Sequence, residues 1–389
     1  MYLIIFLFLI NIRINAQILP GADQIPLYLN QLKGKRVAIV ANPSSNIGKV
    51  HLVDSLFSAN VNIVKIFALE HGFRGDAANG EYINSNIDEK TQLPIISLYG
   101  KHSKPSGEDL KDIDLIIFDI QDVGVRFYTY LTSLHYVMEA CAENAVSLLV
   151  MDRPNPNGYF IDGPVLDPKI KSMVGIHPIP VVHGMTLGEL ALMIKGEKWI
   201  NKANELDLKV ILIGNYNRNM AYNLPVPPSP NLPNSNSISL YPSLGLLEGT
   251  IMSMGRGTPY PFQCYGASWL NGFKDTFTPL NIKGKAINPP YNGKLCHGHI
   301  FTSEEINQIK KSQLINIELI IELYNKYQID YDKTMKKGPF FREFLTLLIG
   351  NKDFQKQIEA GLSAEQIRNS WQPKLEEFKS KRQCYLLYP

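Results

Sequence analysis

The sequence predicts an α/β protein: a parallel sheet covered by helices on both faces, followed by a second, smaller domain of mixed α+β character. Three observations carry that prediction. Short apolar runs that are continuous rather than alternating recur through the first half, and such runs mark strands buried on both faces. Segments with helical apolar spacing separate them, which is the order expected of parallel strands joined by crossover helices. Near residue 223 the pattern breaks at a proline-rich stretch, and Gly, Pro and Tyr dominate from 241 to 300.

The elements follow in order. Lys35 to Ala41 is a first buried strand, ended by Asn42-Pro43-Ser44-Ser45. Val50 to Ala59 has helical spacing. Val61 to Leu69 is a second strand, leading into Glu70-His71-Gly72-Phe73-Arg74-Gly75. Leu93 to Leu98 is a third, closed by Tyr99-Gly100, and Leu115 to Ile120 a fourth. Phe127 to Glu143 is a long helix, and Ser147 to Met151 a fifth strand ending in Asp152-Arg153-Pro154-Asn155. Thr186 and Glu189 form a capping-box pattern for a helix to Lys195. Lys209 to Ile213 is a further strand. Asn223 to Pro233 holds five prolines, which forbid regular structure and stiffen a linker. Helical runs then return at Ser303–Lys310, Glu343–Leu348 and Ser363–Glu377. The domain assignment is a signal at 1–17, a sheet domain at 18–222, a linker at 223–234 and a C-terminal domain at 235–389.

Composition bounds the function. With 389 residues, 45% of them hydrophobic, the chain supports two domains with sizeable cores. A net charge of +3 is too balanced to argue for nucleic acid or an anionic membrane as partner. Met1 to Ile10 is almost wholly apolar and Ala16-Gln17 follows, which reads as an export signal, with an uncleaved anchor as the alternative. The expectation is a protein exported to the periplasm or beyond, with no stable membrane insertion once the signal is removed. The four cysteines are far apart in sequence, so no redox or zinc Cys-x-x-Cys exists, though a Cys264–Cys296 disulfide is an option for an exported chain. No Gly-x-Gly-x-x-Gly follows the first strand, so no nucleotide cofactor is expected. His297-x-His299 lacks an evident third ligand, and no metal is expected either.

The chemistry-bearing residues collect where buried strands end, which is where open parallel sheets bind ligands. The fourth strand runs into Asp119, Gln121, Asp122, Arg126 and Tyr128, with Gly124 permitting a tight change of direction. Glu70 and His71 close the second strand, and a Glu–His neighbour pair suits acid–base work. Asn42, Arg74, Asp152, Arg153 and Asn155 end other strands or their loops and are candidates for binding a polyhydroxylated ligand. His183 precedes a helix start. Glu248, Arg256 and Thr258 lie beyond the linker, and the glycines around Arg256 would let its guanidinium approach an anion.

Seven ordered motifs resemble one family. They are Glu-His-Gly-Phe-Arg-Gly (70–75), Phe-Asp-Ile-Gln-Asp-Val-Gly-Val-Arg-Phe-Tyr-Thr-Tyr (118–130), Asp-Arg-Pro-Asn-Pro-Asn-Gly (152–158), Gly-Pro-Val-Leu-Asp-Pro (163–168), Pro-Val-Val-His-Gly-Met-Thr-Leu-Gly-Glu-Leu (180–190), Pro-Pro-Ser-Pro-Asn-Leu-Pro (227–233) and Leu-Glu-Gly-Thr with Gly-Arg-Gly-Thr (247–258). Together they resemble the exo-β-N-acetylmuramidases typified by NamZ. The resemblance implies a Rossmann-like first domain, a smaller second domain, and a site in the cleft between them. It implies release of β-1,4-linked N-acetylmuramic acid from non-reducing ends of peptidoglycan fragments, with the Glu70 carboxylate catalytic. Peptidoglycan-derived muramoyl saccharides are then the expected partners.

Glycoside hydrolysis calls for a proton donor to the leaving oxygen and a second group for the oxocarbenium-like transition state. Glu70 is expected as the acid, with His71 and His183 as its hydrogen-bond partners or water-positioning groups. Asp119 or Asp122 is expected as base or nucleophile; the alternative is attack by the substrate's own 2-acetamido oxygen, oriented by a carboxylate. The lactyl carboxylate of muramic acid calls for a cation, chosen from Arg126, Arg153 and Arg256, with Arg256 preferred. Two readings compete with the hydrolase: a periplasmic protein that binds the sugar without cleaving it, and an esterase or amidase. The latter is disfavoured because no Gly-x-Ser-x-Gly elbow is present.

Overall fold

The computed structural model describes residues 17–75, 86–330 and 339–389, so the expected export signal lies outside the described residues apart from Gln17. Seven strands form the main sheet: β1 (Val37–Ala41), β2 (Ile63–Ala68), β3 (Asn86–Ile87), β4 (Pro94–Ser97), β5 (Leu115–Asp119), β6 (Ser147–Met151) and β7 (Leu208–Ile211). Their spatial order is β3-β4-β2-β1-β5-β6-β7. Every pair is parallel except β3 with β4. Without the short edge strand β3, this is the doubly wound order of the Rossmann fold, reversing direction between β1 and β5.

The central strands are buried along their whole length, and the pleat splits their side chains into two cores. Val37, Ile39, Ala41, Ile66, Ile117 and Met151 pack on one face with Leu52 and Leu56. These two come from helix α2 (Leu52–Ser58); α1 (Ile25–Leu32) adds Tyr28 and Leu32. Ala38, Val40, Phe67, Ile116, Phe118 and Val150 point the other way, into a larger core. That core includes α4 (Tyr130–Asn144) and α5 (Leu187–Gly196), while the short α3 (Gly107–Leu110) contributes Leu110.

The second half packs into the same large core. It comprises α6 (Ser235–Leu244), a three-stranded antiparallel sheet and helices α7 (Ser303–Ser312), α8 (Ile317–Asp330), α9 (Phe344–Ile349), α10 (Asp353–Glu359) and α11 (Ala364–Arg382). The sheet is β8 (Cys264–Ala267), β9 (Asp275–Phe277) and β10 (Cys296–Ile300), with β10 in the centre. Leu244, Leu247, Phe340 and Leu345 from this half share one apolar cluster with Leu131, Leu134 and Val137 of α4. Register separates the two sheet cysteines: Cys264 faces Ile300 while Cys296 faces Phe277, and both thiols are free. The optional disulfide is therefore absent here.

The chain's C-terminal residues return to the first sheet. The Tyr388 hydroxyl donates to Asp152 Oδ2 at 2.7 Å and accepts from the backbone N–H of Ile213 at 2.9 Å. The stretch read as a linker has no regular structure, yet Pro228, Ser229, Asn231 and Leu232 are buried. It packs as a wall between the halves rather than hanging as a tether. Among the described residues no helix is long and apolar enough to cross a membrane.

Candidate active site

Because β1, β2, β4, β5 and β6 are parallel and aligned, their carboxyl ends lie along one edge of the sheet. The loops leaving β2, β4 and β5 meet the second half there and enclose a cavity of about 410 Å³, within the ~300–1,000 Å³ typical of small-molecule sites. Glu70, His71, Tyr99, Phe127, Tyr128, Thr129, Met173 and Val174 line it from the first half. Ser229, Leu232, Tyr241, Glu248, Arg256, Phe262, Phe344 and Leu348 line it from the second.

Glu70 is held by a constrained turn. The next residue, His71, sits at φ +72°, and Gly72 follows at φ +79°. A non-glycine residue in this left-handed region costs about 1 kcal/mol or more and concentrates at functional sites. Glu70 Oε2 accepts a hydrogen bond from Thr129 Oγ1 at 2.9 Å, and Oε1 a longer one from the Tyr99 hydroxyl at 3.4 Å. Tyr130 donates to the Glu70 carbonyl oxygen at 3.2 Å. Thr129 occupies the residue before α4 but makes no side-chain cap bond, which leaves its hydroxyl for the carboxylate. Burial and the neighbouring Glu70 charge push the Tyr99 hydroxyl up to about 12, so Tyr99 remains a donor. This arrangement also explains why α4 begins at Tyr130 rather than at the expected Phe127: residues 127–129 form the cavity wall.

From the other side, α6 runs into a single 3₁₀ turn, Gly245–Gly249, that carries Glu248. The flanking glycines permit contacts no side chain would allow: a Cβ at Gly245 would meet the Phe127 ring at 2.6 Å, and one at Gly249 the Leu345 backbone at 2.4 Å. Arg256 lies between Gly255 and Gly257, both at positive φ. Its Nε donates to Glu248 Oε1 at 2.8 Å, Nη2 donates to the same oxygen, and the guanidinium lies over the Phe262 ring at 4.9 Å. Burial opposes the Arg256 charge, but the Glu248 carboxylate outweighs it and the pKa is raised.

The remaining candidates lie outside the cavity lining, each bound into the scaffold. Asp119 is fully buried and grips Arg153 with both oxygens, at 2.6 Å to Nε and 2.9 Å to Nη2. Asp122 Oδ2 accepts the Gly124 N–H at 2.6 Å, and burial raises its carboxyl to about 7. The expected service of either aspartate as base or nucleophile therefore has no geometric seat at the cavity. Arg126 is enclosed, donating to the carbonyl oxygens of Pro164, Ile179 and Leu348, and burial lowers its pKa to about 9. Neither Arg126 nor Arg153 lines the cavity, which leaves Arg256 among the three proposed lactyl cations.

His183 is buried with Nδ1 accepting the Met185 N–H at 3.2 Å, and burial lowers its pKa to about 3. It does not reach Glu70. Arg74 pairs with Asp54 and Asp88. Asp152 gathers donors from Thr186, Gly188 and Tyr388, and burial raises it to about 7. Asn155 bridges to Met185 and Asn157, Gln121 to the carbonyls of Asp122 and Pro154, and Asn42 caps Ser44. Thr258 donates to the Gly255 carbonyl and helps shape the Arg256 turn. Among the described residues no cluster of three His, Cys, Asp or Glu is placed to hold a metal.

Sequence reasoning overlooked Tyr99, Thr129, Ser229 and Tyr241 as site residues. Tyr99 and Thr129 carried a signal, since both follow buried strands that end at the same edge. Ser229 and Tyr241 carried none, because the stretch around Ser229 reads as linker.

Two family models cover nearly the whole described chain. One, described as exo-beta-N-acetylmuramidase NamZ, N-terminal, matches residues 37–236; its C-terminal counterpart matches 239–388. The chain belongs to the NamZ family. It is 39% identical to the peptidoglycan beta-N-acetylmuramidase NamZ of Bacillus subtilis strain 168, over 95% of this chain and 91% of the relative. Among solved structures it resembles two DUF1343 family proteins of Bacteroides fragilis. The first shares 46% identity at a TM-score of 0.85, the second 30% at 0.77, each over 96% of this chain and 99% of the other. In this NamZ family chain the two matched parts meet between 236 and 239, close beside the buried proline-rich wall.

Proposed function

We propose that this chain is an exo-acting β-N-acetylmuramidase that removes terminal β-1,4-linked N-acetylmuramic acid from peptidoglycan fragments. The observation that carries the reading is Glu70 on a cavity wall with its carboxylate oriented by two hydroxyl donors, in a chain belonging to the NamZ family. Glu70 acts as the general acid that protonates the leaving oxygen, a contribution of roughly 10²- to 10⁴-fold. Tyr241 and Phe262 form part of the wall around the sugar, and Arg256 supplies the cation for the lactyl carboxylate. Work outside the cytoplasm agrees with the apolar Met1–Ile10 segment and with a cell-wall substrate.

The test is release of chromophore from aryl β-N-acetylmuramide and from the matching β-N-acetylglucosaminide. The expected result is turnover of the muramide alone, and an Arg256→Ala variant that loses muramide affinity far more than glucosaminide affinity. Saturable binding without release would make the protein a sugar receptor, and equal turnover of both glycosides would remove the lactyl assignment.

A further inference from the structure

We infer that Glu248 is the second catalytic carboxylate, and that it acts by holding the 2-acetamido group of the substrate for attack on the anomeric carbon. The inference rests on the muramidase reading of the cavity and supplies the group that reading leaves open. Among the described residues the carboxylates lining the cavity are Glu70 and Glu248. Asp119 is consumed by Arg153, and Asp122 is enclosed beneath its own turn.

The hydrogen bonding of Glu248 is lopsided. Both Arg256 donors converge on Oε1, and Oε2 has no partner among the described residues. Arg256 likewise has Nη1 engaged by no hydrogen bond among them. The pair therefore presents one open acceptor beside one open donor on the cavity wall. Muramic acid presents the complement: the 2-acetamido N–H is a donor on C2, and the lactyl carboxylate on O3 of the adjacent carbon is an acceptor. One side-chain pair then reads both substituents at once. The paired Arg256 charge also offsets the Glu248 charge beside an incoming substrate carboxylate, which an isolated glutamate would repel.

The acetamido carbonyl oxygen bonds to C1 while the C1–O bond to the leaving sugar breaks. That bond's electron pair goes to the leaving oxygen, which takes its proton from Glu70. Glu248 Oε2 accepts the acetamido N–H and offsets the positive charge that the amide acquires. Water then adds to C1, its proton passes to the Glu70 carboxylate, and the acetamido group is restored in a product of retained configuration.

The experiment uses the full chain with aryl β-N-acetylmuramides whose N-acetyl carries zero to three fluorines. Fluorine withdraws electrons from the attacking oxygen, so the wild-type rate should fall steeply with each one. Glu248→Gln should lower kcat at least roughly 100-fold, with KM for the muramide raised too. Glu248→Ala should yield no α-glycosyl azide when azide is added. A fluorine-independent rate, an α-glycosyl azide product, or a folded Glu248→Gln enzyme with near-normal kcat would each overturn the inference. The fluorine series needs no variant, so it decides the matter even if Glu248→Gln fails to fold. The Glu70 assignment is tested separately: a 2,4-dinitrophenyl leaving group needs no acid and should restore kcat/KM, which reports the first step, in Glu70→Gln, whatever Glu248 proves to do.

Discussion

Two acidic side chains, Asp119 and Glu70, sit at the carboxyl edge of the same sheet, and they do different work. Asp119, at the switch between β1 and β5, is fully buried, and both of its oxygens are taken by Arg153. Glu70, two strands away on the far side of β1, is only partly buried and leans on two hydroxyls at the wall of a cavity. A carboxylate whose bonding is completed inside the protein holds the scaffold together. One left with capacity on a cavity wall can meet a substrate. Position at a strand end, which the two share, does not separate them; the buried cationic partner of Asp119 does.

The sharpest way to break this contrast is to neutralise each acid in turn. Glu70→Gln should cut kcat on an unactivated muramide by about 10³-fold with the melting temperature nearly unchanged. Asp119→Asn should do the reverse. It strands the Arg153 charge in a buried site, at a cost of about 3–5 kcal/mol, seen as a lowered denaturation midpoint, while kcat per folded molecule stays within a few-fold. A folded, stable, inactive Asp119→Asn protein would restore that aspartate to the chemistry.

Asp122 sharpens the comparison through pH. Burial raises its folded pKa to about 7, above the ordinary aspartate value. A group raised in this way stabilises the fold while protonated, and that contribution fades as pH climbs from about 4 to about 7. Asparagine cannot ionise, so the stability of wild type relative to Asp122→Asn should fall across this window by on the order of 2–4 kcal/mol. Urea titrations at pH 4.5 and 7.5 measure it; a difference that is flat with pH would mean that Asp122 is solvated.

The smallest expected effect concerns the hydroxyl that orients Glu70. Thr129→Val removes a 2.9 Å bond and should lower kcat roughly tenfold, the equivalent of about 1.4 kcal/mol, with a shifted pH profile. Thr129→Ser should restore most of it. If serine fails to rescue, Thr129 serves packing rather than aim.

The sequence disclosed the sheet well because its strands are short, continuous apolar runs with little ambiguity. The same logic disclosed Glu70, since a strand end marks where a ligand could sit. It could not tell Glu70 from Asp119, because pairing with Arg153 depends on β6 lying beside β5, a register no local pattern reports. Helix α6 escaped notice because Ser-Asn-Ser-Ile-Ser-Leu-Tyr-Pro-Ser-Leu has weak propensity and an internal proline. Its Asn234 capping box and its buried Ile238, Leu240 and Leu244 hold it in place instead. The proline-rich stretch read as spacer for the same reason: only the tertiary fold shows Tyr128 donating to the Pro228 carbonyl.

The Tyr388 hydroxyl, closed on Asp152 and Ile213, ties the end of the chain to the first sheet. A catalytic half expressed by itself would expose the apolar flank of α4 and leave Asp152 without one of its donors. Splitting the gene at the seam between the two matched regions should therefore give insoluble pieces when made apart and an active complex when made together. For a homologue swap, the unit that can be exchanged is the whole interlocked body and not either lobe.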